Sequence, residues 1–299
     1  MLQSIIGLIR TMRPKQWTKN VFIYAGLVFD GQLFSFVPFL QVTLSFILLC
    51  LTASSVYIIN DLVDIDKDRL HPRKRFRPLP SGQLPVSVAR VAAVLLPLLS
   101  ILAAIALSPQ FAVVLLLYFL IQVAYSFRLK NIVIVDIMTI TAGFVLRVAA
   151  GVVVINVANF SPWLYACTGL LALFLAIGKR RQELVTLAEA AQDTRTVFKS
   201  YNLPLLDDML RMVMTSTFIA YLLYTVQSET IRVANTDLAL VTLPFVLYGL
   251  FRYLYLIHVK GEGSDPSEVL LRDMPLLLSV LLWGITFILI LYLPELFLV

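Results

Sequence analysis

Asn60, Asp61, Asp64 and Asp68 open a stretch, Asn60 to Pro78, that holds four acids and six Lys or Arg residues within nineteen positions. The chain as a whole is only 14% charged. At about 100° per residue, a helix would carry Asn60, Asp61, Asp64 and Asp68 within an arc of roughly 100° and turn Asp66 to the opposite side. Carboxylates stacked on one face repel one another unless a cation lies among them. An all-oxygen set of this kind suits Mg2+, which takes a few carboxylates and completes its shell with water and substrate phosphates. The expected metal ligands are therefore Asn60, Asp61, Asp64 and Asp68, with Asp61 and Asp64 central to catalysis. Asp66 is expected to be dispensable. The basic run that follows, Arg69, Arg73, Lys74, Arg75 and Arg77, supplies donors for phosphate oxygens. A solvated helix end of mixed charge is the plainer reading of such a run. The segregation of the acids to one face, at the end of the apolar run Phe39 to Ile59, favours a metal–phosphate site.

Four further groups carry candidate chemistry. Arg13-Pro14-Lys15-Gln16-Trp17-Thr18-Lys19-Asn20 is either a membrane-surface anchor or a segment whose Lys19 and Asn20 turn inward to a phosphate. Tyr125, Ser126, Arg128 and Lys130 precede Asp136, which lies inside Ile-Val-Ile-Val-Asp-Ile-Met, where an acid needs a partner or a water-filled cavity. Arg147 is the most deeply placed charge; it either pairs with a buried carboxylate or reaches an anionic substrate group. Lys179, Arg180 and Arg181 close an apolar run and either report topology or clamp a phosphate. Asp207, Asp208 and Arg211 lie at a helix start, and Gly261 to Glu268 reads as a capping loop. Phe218, Tyr221 and Tyr224 are core or lipid-facing by default. There is no glycine-rich phosphate loop and no Cys-x-x-Cys, and the two histidines, His71 and His258, have no Ser or Cys nucleophile pattern beside them. Metal-assisted displacement of a diphosphate is the chemistry these residues support.

The elements that must position them are apolar and long. Of 299 residues, 60% are hydrophobic, and the mean hydropathy is +0.88. That composition predicts an all-α, polytopic membrane protein forming a single domain over 1–299. Nine apolar spans are expected, near 20–37, 39–60, 86–107, 110–127, 132–156, 162–178, 209–228, 237–259 and 275–295. Alternate loops are rich in Lys and Arg, including Arg195 and Lys199; the others hold a single basic residue, Arg232. The positive-inside rule then places the N-terminus in the cytoplasm and the C-terminus outside, with the motif-bearing loops on the cytoplasmic side. Residues 1–20 do not read as a cleavable signal, since their basic residues follow the apolar patch. Cys50 and Cys167 lie inside apolar runs, so neither a disulfide nor a thiolate metal site follows. The net charge of +6 sits at membrane-facing loops, which fits phosphorylated substrates and anionic lipids rather than nucleic acid.

Asn60-Asp61-x-x-Asp64-x-x-x-Asp68, the nine spans and Tyr125-Ser126-x-x-Leu129-Lys130 resemble the UbiA superfamily of intramembrane prenyltransferases. Arg-Pro-Lys-Gln-Trp-Thr-Lys-Asn (13–20), Asp-Arg-x-His-Pro-x-Lys-Arg-x-Arg-Pro (68–78) and Gly-Lys-Arg-Arg-x-Glu (178–183) are similar to its decaprenyl-phosphate phosphoribosyltransferase branch. So are Arg252-Tyr253-Leu254-Tyr255 and Gly263-x-Asp265-Pro266. The resemblance implies a nine-helix bundle with a central cavity open to cytoplasm and lipid, in the plasma membrane. It implies Mg2+-dependent transfer of 5-phosphoribose from phosphoribosyl pyrophosphate to a polyprenyl phosphate, releasing diphosphate. A supply of arabinose donors for a cell-envelope polysaccharide follows from the same resemblance. Where many prenyltransferases of the superfamily carry a second aspartate-rich motif, only Asp136 stands here. Prenyl transfer to an aromatic or quinone-precursor acceptor is the alternative enzyme reading. A cation-coupled transporter is the non-enzyme one, against which no inverted repeat is visible. A homo-oligomer is compatible with all three.

Overall fold

The computed structural model describes residues 2–72, 74–157, 161–187, 196–227, 238–263 and 266–297. Arg73, Arg195, Arg232 and Asp265, together with the side chain of Lys199, lie outside the described residues. Every described element is helical. In chain order they are α1 (Leu2–Met12), α2 (Ala25–Phe29), α3 (Phe36–Val63), α4 (Ile65–Leu70), α5 (Val86–Leu107), α6 (Pro109–Phe127) and α7 (Val135–Val154). There follow α8 (Pro162–Leu187), α9 (Leu203–Gln227), α10 (Leu243–Tyr255), α11 (Pro266–Arg272) and α12 (Met274–Phe297). Among the described residues, eight helices are long and apolar enough to cross a membrane. The chain is a multi-pass membrane protein.

The count of nine is not reproduced, because the expected span 20–37 is not one long helix. Residues Pro14–Tyr24 run as a 3-10 helix, α2 adds five residues, and the chain turns at Gly31, whose φ is +73°. The reason lies at both ends of the run. Arg13 precedes a proline, which disfavours αR there, and it adopts φ 53° and ψ 62°, ending α1. Downstream, the run is committed to polar contacts with α3 and α7 that a lipid-facing helix does not make.

Lipid-facing positions are plain on α5, where Leu95, Leu98, Leu99 and Leu102 are exposed. In lipid such residues gain nothing from being hidden, so helices associate through close packing and through hydrogen bonds between polar side chains. The hydroxyls inside the spans are satisfied locally, as where Thr52 and Ser126 donate to the carbonyls of Leu48 and Gln122.

Two compact units divide the described residues. The first comprises Met1–Leu27, Leu33–Lys130 and Leu146–Val157. Its core includes Leu27, Leu49, Phe111, Leu115 and Ala150. Gly151 makes the crossing of α7 over the N-terminal run possible: a Cβ there would stand 1.7 Å from the Ile23 carbonyl oxygen. The second comprises Val28–Gln32, Asn131–Val145 and Ala158–Val299. Its core includes Phe174, Ile177, Leu206, Leu210 and Tyr253 from α8, α9 and α10. There α10 runs on into a π-helical turn, Leu256–Lys260, closed by Gly261 at φ 68°, the left-handed position that glycine adopts without steric cost.

Candidate functional site

The first unit gathers the acidic motif. α3 ends at Val63, Asp64 breaks the helix with φ −95° and ψ 9°, and α4 resumes at Ile65. The helix expected to continue through the motif is thus two helices, yet Asp64 N–H still reaches the Asn60 carbonyl at 3.0 Å and Asp68 N–H the Asp64 carbonyl at 2.8 Å. Facial order survives the break. Asp61 and Asp68 are each 2% exposed, whereas the Asp66 side chain is 87% exposed and takes a bond from Arg69 at 3.0 Å.

Each acid of the motif face is met by a cation. Arg77 Nη1 lies between the two buried acids, 2.6 Å from Asp68 Oδ2 and 3.2 Å from Asp61 Oδ1. Arg13 Nη2 approaches the same Asp61 oxygen at 2.5 Å, and its guanidinium stands 5.1 Å from the Tyr57 ring centre. Lys74 Nζ lies 3.8 Å from Asp68 Oδ1, and Lys130 Nζ 3.3 Å from Asp64 Oδ2. Asn60 is half-buried. Arg69 and Arg75 face away from it: Arg69 serves Asp66, and Arg75 is exposed against the Phe76 ring.

Whether these residues suit a divalent ion follows from their donors. Among the described residues no three His, Cys, Asp or Glu side chains form a metal-holding group. A buried carboxylate pair fits Mg2+ nonetheless, since that ion commonly takes one or two carboxylates and leaves the rest of its shell to water and phosphate. Arg77 Nη1, held by both acids, shows that this pair accepts a single positive centre.

Deeper in the same unit, Arg147 Nε donates to Asn20 Oδ1 at 2.8 Å and Nη2 to the Tyr118 hydroxyl at 2.9 Å. Asn20 Nδ2 in turn donates to Cys50 Sγ at 3.2 Å. The buried Asn20 is therefore a partner of the intramembrane arginine, and Trp17 is bonded to Ser54 of α3 at 3.1 Å. Lys19 and Tyr125 are half-buried, and Ser126 is buried with its hydroxyl on its own helix.

A second polar group lies in the second unit. Asp136 is wholly buried; Arg180 Nε donates to its Oδ2 at 2.6 Å and the Tyr201 hydroxyl to its Oδ1 at 2.7 Å. Arg180 also holds Glu183. Tyr201 accepts the Ile134 N–H at 2.8 Å, and Ile134 has φ +68°, a sterically costly value for a β-branched residue. Burial first, and the bond to Asp136 second, push the Tyr201 phenol well above its usual range. Arg181 Nε donates to Asp207 Oδ1 at 2.5 Å, and His258 Nε2 stands 3.2 Å from that oxygen. Asp207 and His258 line an open groove with Leu210, Arg211, Leu254 and Tyr255. Lys179 is half-buried and, among the described residues, makes no ion pair. Arg252 grips Asp273 with two nitrogens, at 3.1 and 2.8 Å, and that bond above all holds the Asp273 carboxyl below its ordinary range.

The model of the UbiA prenyltransferase family matches residues 20–272, a span that takes in the whole acidic face and the Asp136–Arg180 pair. The chain belongs to this family. It is similar to the decaprenyl-phosphate phosphoribosyltransferase of Mycobacterium tuberculosis, 30% identical over 283 residues, covering 93% of this chain and 92% of the relative. The Corynebacterium glutamicum protein of the same description is 32% identical over 296 residues, covering 97% and 88%. A solved structure of a UbiA homolog from Archaeoglobus fulgidus, bound to GPP and Mg2+, superimposes with a TM-score of 0.71 at 21% identity, covering 95% of this chain and 99% of that one. This UbiA-family chain is a transferase, with the family's helical membrane fold.

Two members of these polar groups, one in each unit, were not singled out from sequence. Arg13 stood within a basic segment, but nothing in the spacing links it to Asp61, 48 positions away. Tyr201 bridges Asp136 and Ile134, and a tyrosine before a helix start carries no such signal.

Proposed function

We propose that the chain transfers a 5-phosphoribosyl group from phosphoribosyl pyrophosphate to a polyprenyl phosphate and releases diphosphate. The bond from C1 to the diphosphate oxygen breaks, and a phosphate oxygen of the lipid forms the new bond to C1. That oxygen is already anionic at neutral pH, so no strong general base is required. The reading is carried by the buried Asp61–Arg77–Asp68 bridge within a cluster of acids and phosphate-binding cations. Similarity along nearly the whole chain to relatives described as decaprenyl-phosphate phosphoribosyltransferases supports it.

In this mechanism Asp61, Asp64 and Asp68, with Asn60, would hold Mg2+, and the ion would supply charge neutralisation for the leaving diphosphate. Arg13 and Arg77 offer planar forks to phosphate oxygens, while Lys74 and Lys130 act as point charges. Lys179 is the candidate for the lipid phosphate, because Arg180 and Arg181 are engaged by Asp136 and Asp207. Arg69 and Arg75, at the exposed rim, remain candidates for first contact with an anionic substrate. The reading takes 1–299 as one catalytic domain in the plasma membrane, its acidic face toward the cytoplasm, in keeping with the basic residues of alternate loops.

The test uses detergent-purified protein, Mg2+, a polyprenyl phosphate and radiolabelled phosphoribosyl pyrophosphate, followed by organic extraction. Label enters the lipid phase, and EDTA or Asp64→Ala lowers the rate by about a hundredfold or more, as expected when charge stabilisation of a leaving group is lost. Asp66→Ala stays within about threefold, since its exposed pair with Arg69 is worth little. Turnover of a prenyl diphosphate with an aromatic acceptor, and none with phosphoribosyl pyrophosphate, would replace this reading with prenyl transfer.

A further inference from the structure

Arg77 lies between the two buried acids of the motif. One nitrogen of its guanidinium touches both Asp61 and Asp68, at 3.2 and 2.6 Å, and Arg13 holds the same Asp61 oxygen. We propose that Arg77 is a built-in counter-ion, so that this face takes up a divalent ion together with a diphosphate and not the ion alone. The inference rests on the metal–diphosphate reading above and adds an order of assembly to it.

Three observations support it. First, the acids are the buried members of the cluster and the arginines the more exposed ones. Asp61 and Asp68 are carried by α3 and α4 and their side chains are 3% exposed, whereas the side chains of Arg13 and Arg77 are 33% exposed. Arg13 sits at a left-handed pivot between α1 and the 3-10 run, and Arg77 in the turn after the short 3-10 helix Lys74–Phe76. Second, the formal charges oppose a lone cation. Asp61, Asp64 and Asp68 face Arg13, Lys74, Arg77 and Lys130, which leaves one positive charge in excess before any metal arrives. A free divalent ion meets repulsion from those four side chains and must displace a guanidinium from both of its acids. Third, a diphosphate reverses that balance. It brings more negative charge than the ion brings positive, and it offers the displaced guanidinium groups the oxygen pairs for which arginine is the best donor. The arginines then pass from carboxylate to phosphate without losing ionic partners.

The measurement is metal binding by purified full-length protein in detergent, with Mn2+ as the probe. Free Mn2+ is counted by electron paramagnetic resonance in diphosphate-free samples. The thermal midpoint is followed with Mn2+ alone, inorganic diphosphate alone, and both. Wild type is expected to bind Mn2+ alone weakly and to gain a thermal shift only with both ligands. Arg77→Gln is expected to bind Mn2+ alone about tenfold more tightly than wild type, a coupling of ordinary size between two sites, and to show the thermal shift without diphosphate. Arg13→Gln relieves the same Asp61 oxygen and reads out in the same direction, should Arg77→Gln lose its monodisperse elution. Equal diphosphate-free affinity in wild type and both variants, abolished by Asp68→Asn, overturns the counter-ion role and leaves the site assignment standing. Affinity unaffected by Asp68→Asn overturns the site assignment and the counter-ion with it.

Discussion

The acids of the motif and of α7 each have their fate set by what reaches them. Asp66 is exposed and pairs with Arg69, Asp61 and Asp68 share Arg77, and Asp136 is enclosed by Arg180 and Tyr201. The last group allows a clean prediction. Removing one member of a buried ion pair leaves the other uncompensated, at a cost of about 3–5 kcal/mol. Asp136→Asn should therefore lower the apparent thermal midpoint in detergent steeply. Arg180 retains Glu183, so the loss should fall at the lower end of that range. Removing both charges together, in Asp136→Asn with Arg180→Met, should recover at least half of the loss. If the double variant is no more stable than the single one, Arg180 has a role beyond balancing Asp136.

At the scale of elements, the crossing of α7 with the N-terminal run decides where polar side chains meet. Gly151 lies one helical turn beyond Arg147, on the same face, and it is Gly151 that lets the backbone at Ile23 come close enough for Asn20 to reach Arg147. Gly151→Ala must push the Ile23 carbonyl aside, and backbone yields less readily than a side chain. A loss of about 3 kcal/mol in stability is expected. Gly284→Ala in α12, where the new methyl meets nothing within 4 Å, should stay within about 1 kcal/mol of wild type. Paired thermal melts of the two variants check the contrast. A neutral Gly151→Ala would mean that the crossing is looser than these contacts state.

At the scale of the whole molecule, the surrounding solvent decides stability. Large aliphatic side chains on the faces of α5, α6 and α12 are exposed, among them Leu99, Val113 and Ile285. Such faces are stable against lipid and aggregate in water. The orientation in the bilayer is a separate matter, predicted by the alternation of basic loops. Impermeant maleimide on intact cells tests it through two exposed positions, with Cys50 buried and Cys167 replaced by serine. Gln110→Cys, at the start of α6, should label from outside. Ser81→Cys, after the basic run, should label only once the membrane is opened. The opposite pattern would reverse the orientation and place the acidic face outside.

Sequence by itself determined the helical membrane class, the boundaries of most spans, and the side of the helix to which Asp61, Asp64 and Asp68 belong. Those follow from composition and from a local period, which a chain cannot evade: apolar runs of that length have few other states, and residues three or four apart share a face. The tertiary structure decided the rest. It gave Arg147 bonds to Asn20 and Tyr118, gave Asp136 its partners Arg180 and Tyr201, and turned the expected first span into a 3-10 run docked on α3 and α7. These pairings join positions up to 127 residues apart. No local period encodes them, because which cation reaches which acid depends on how the helices cross.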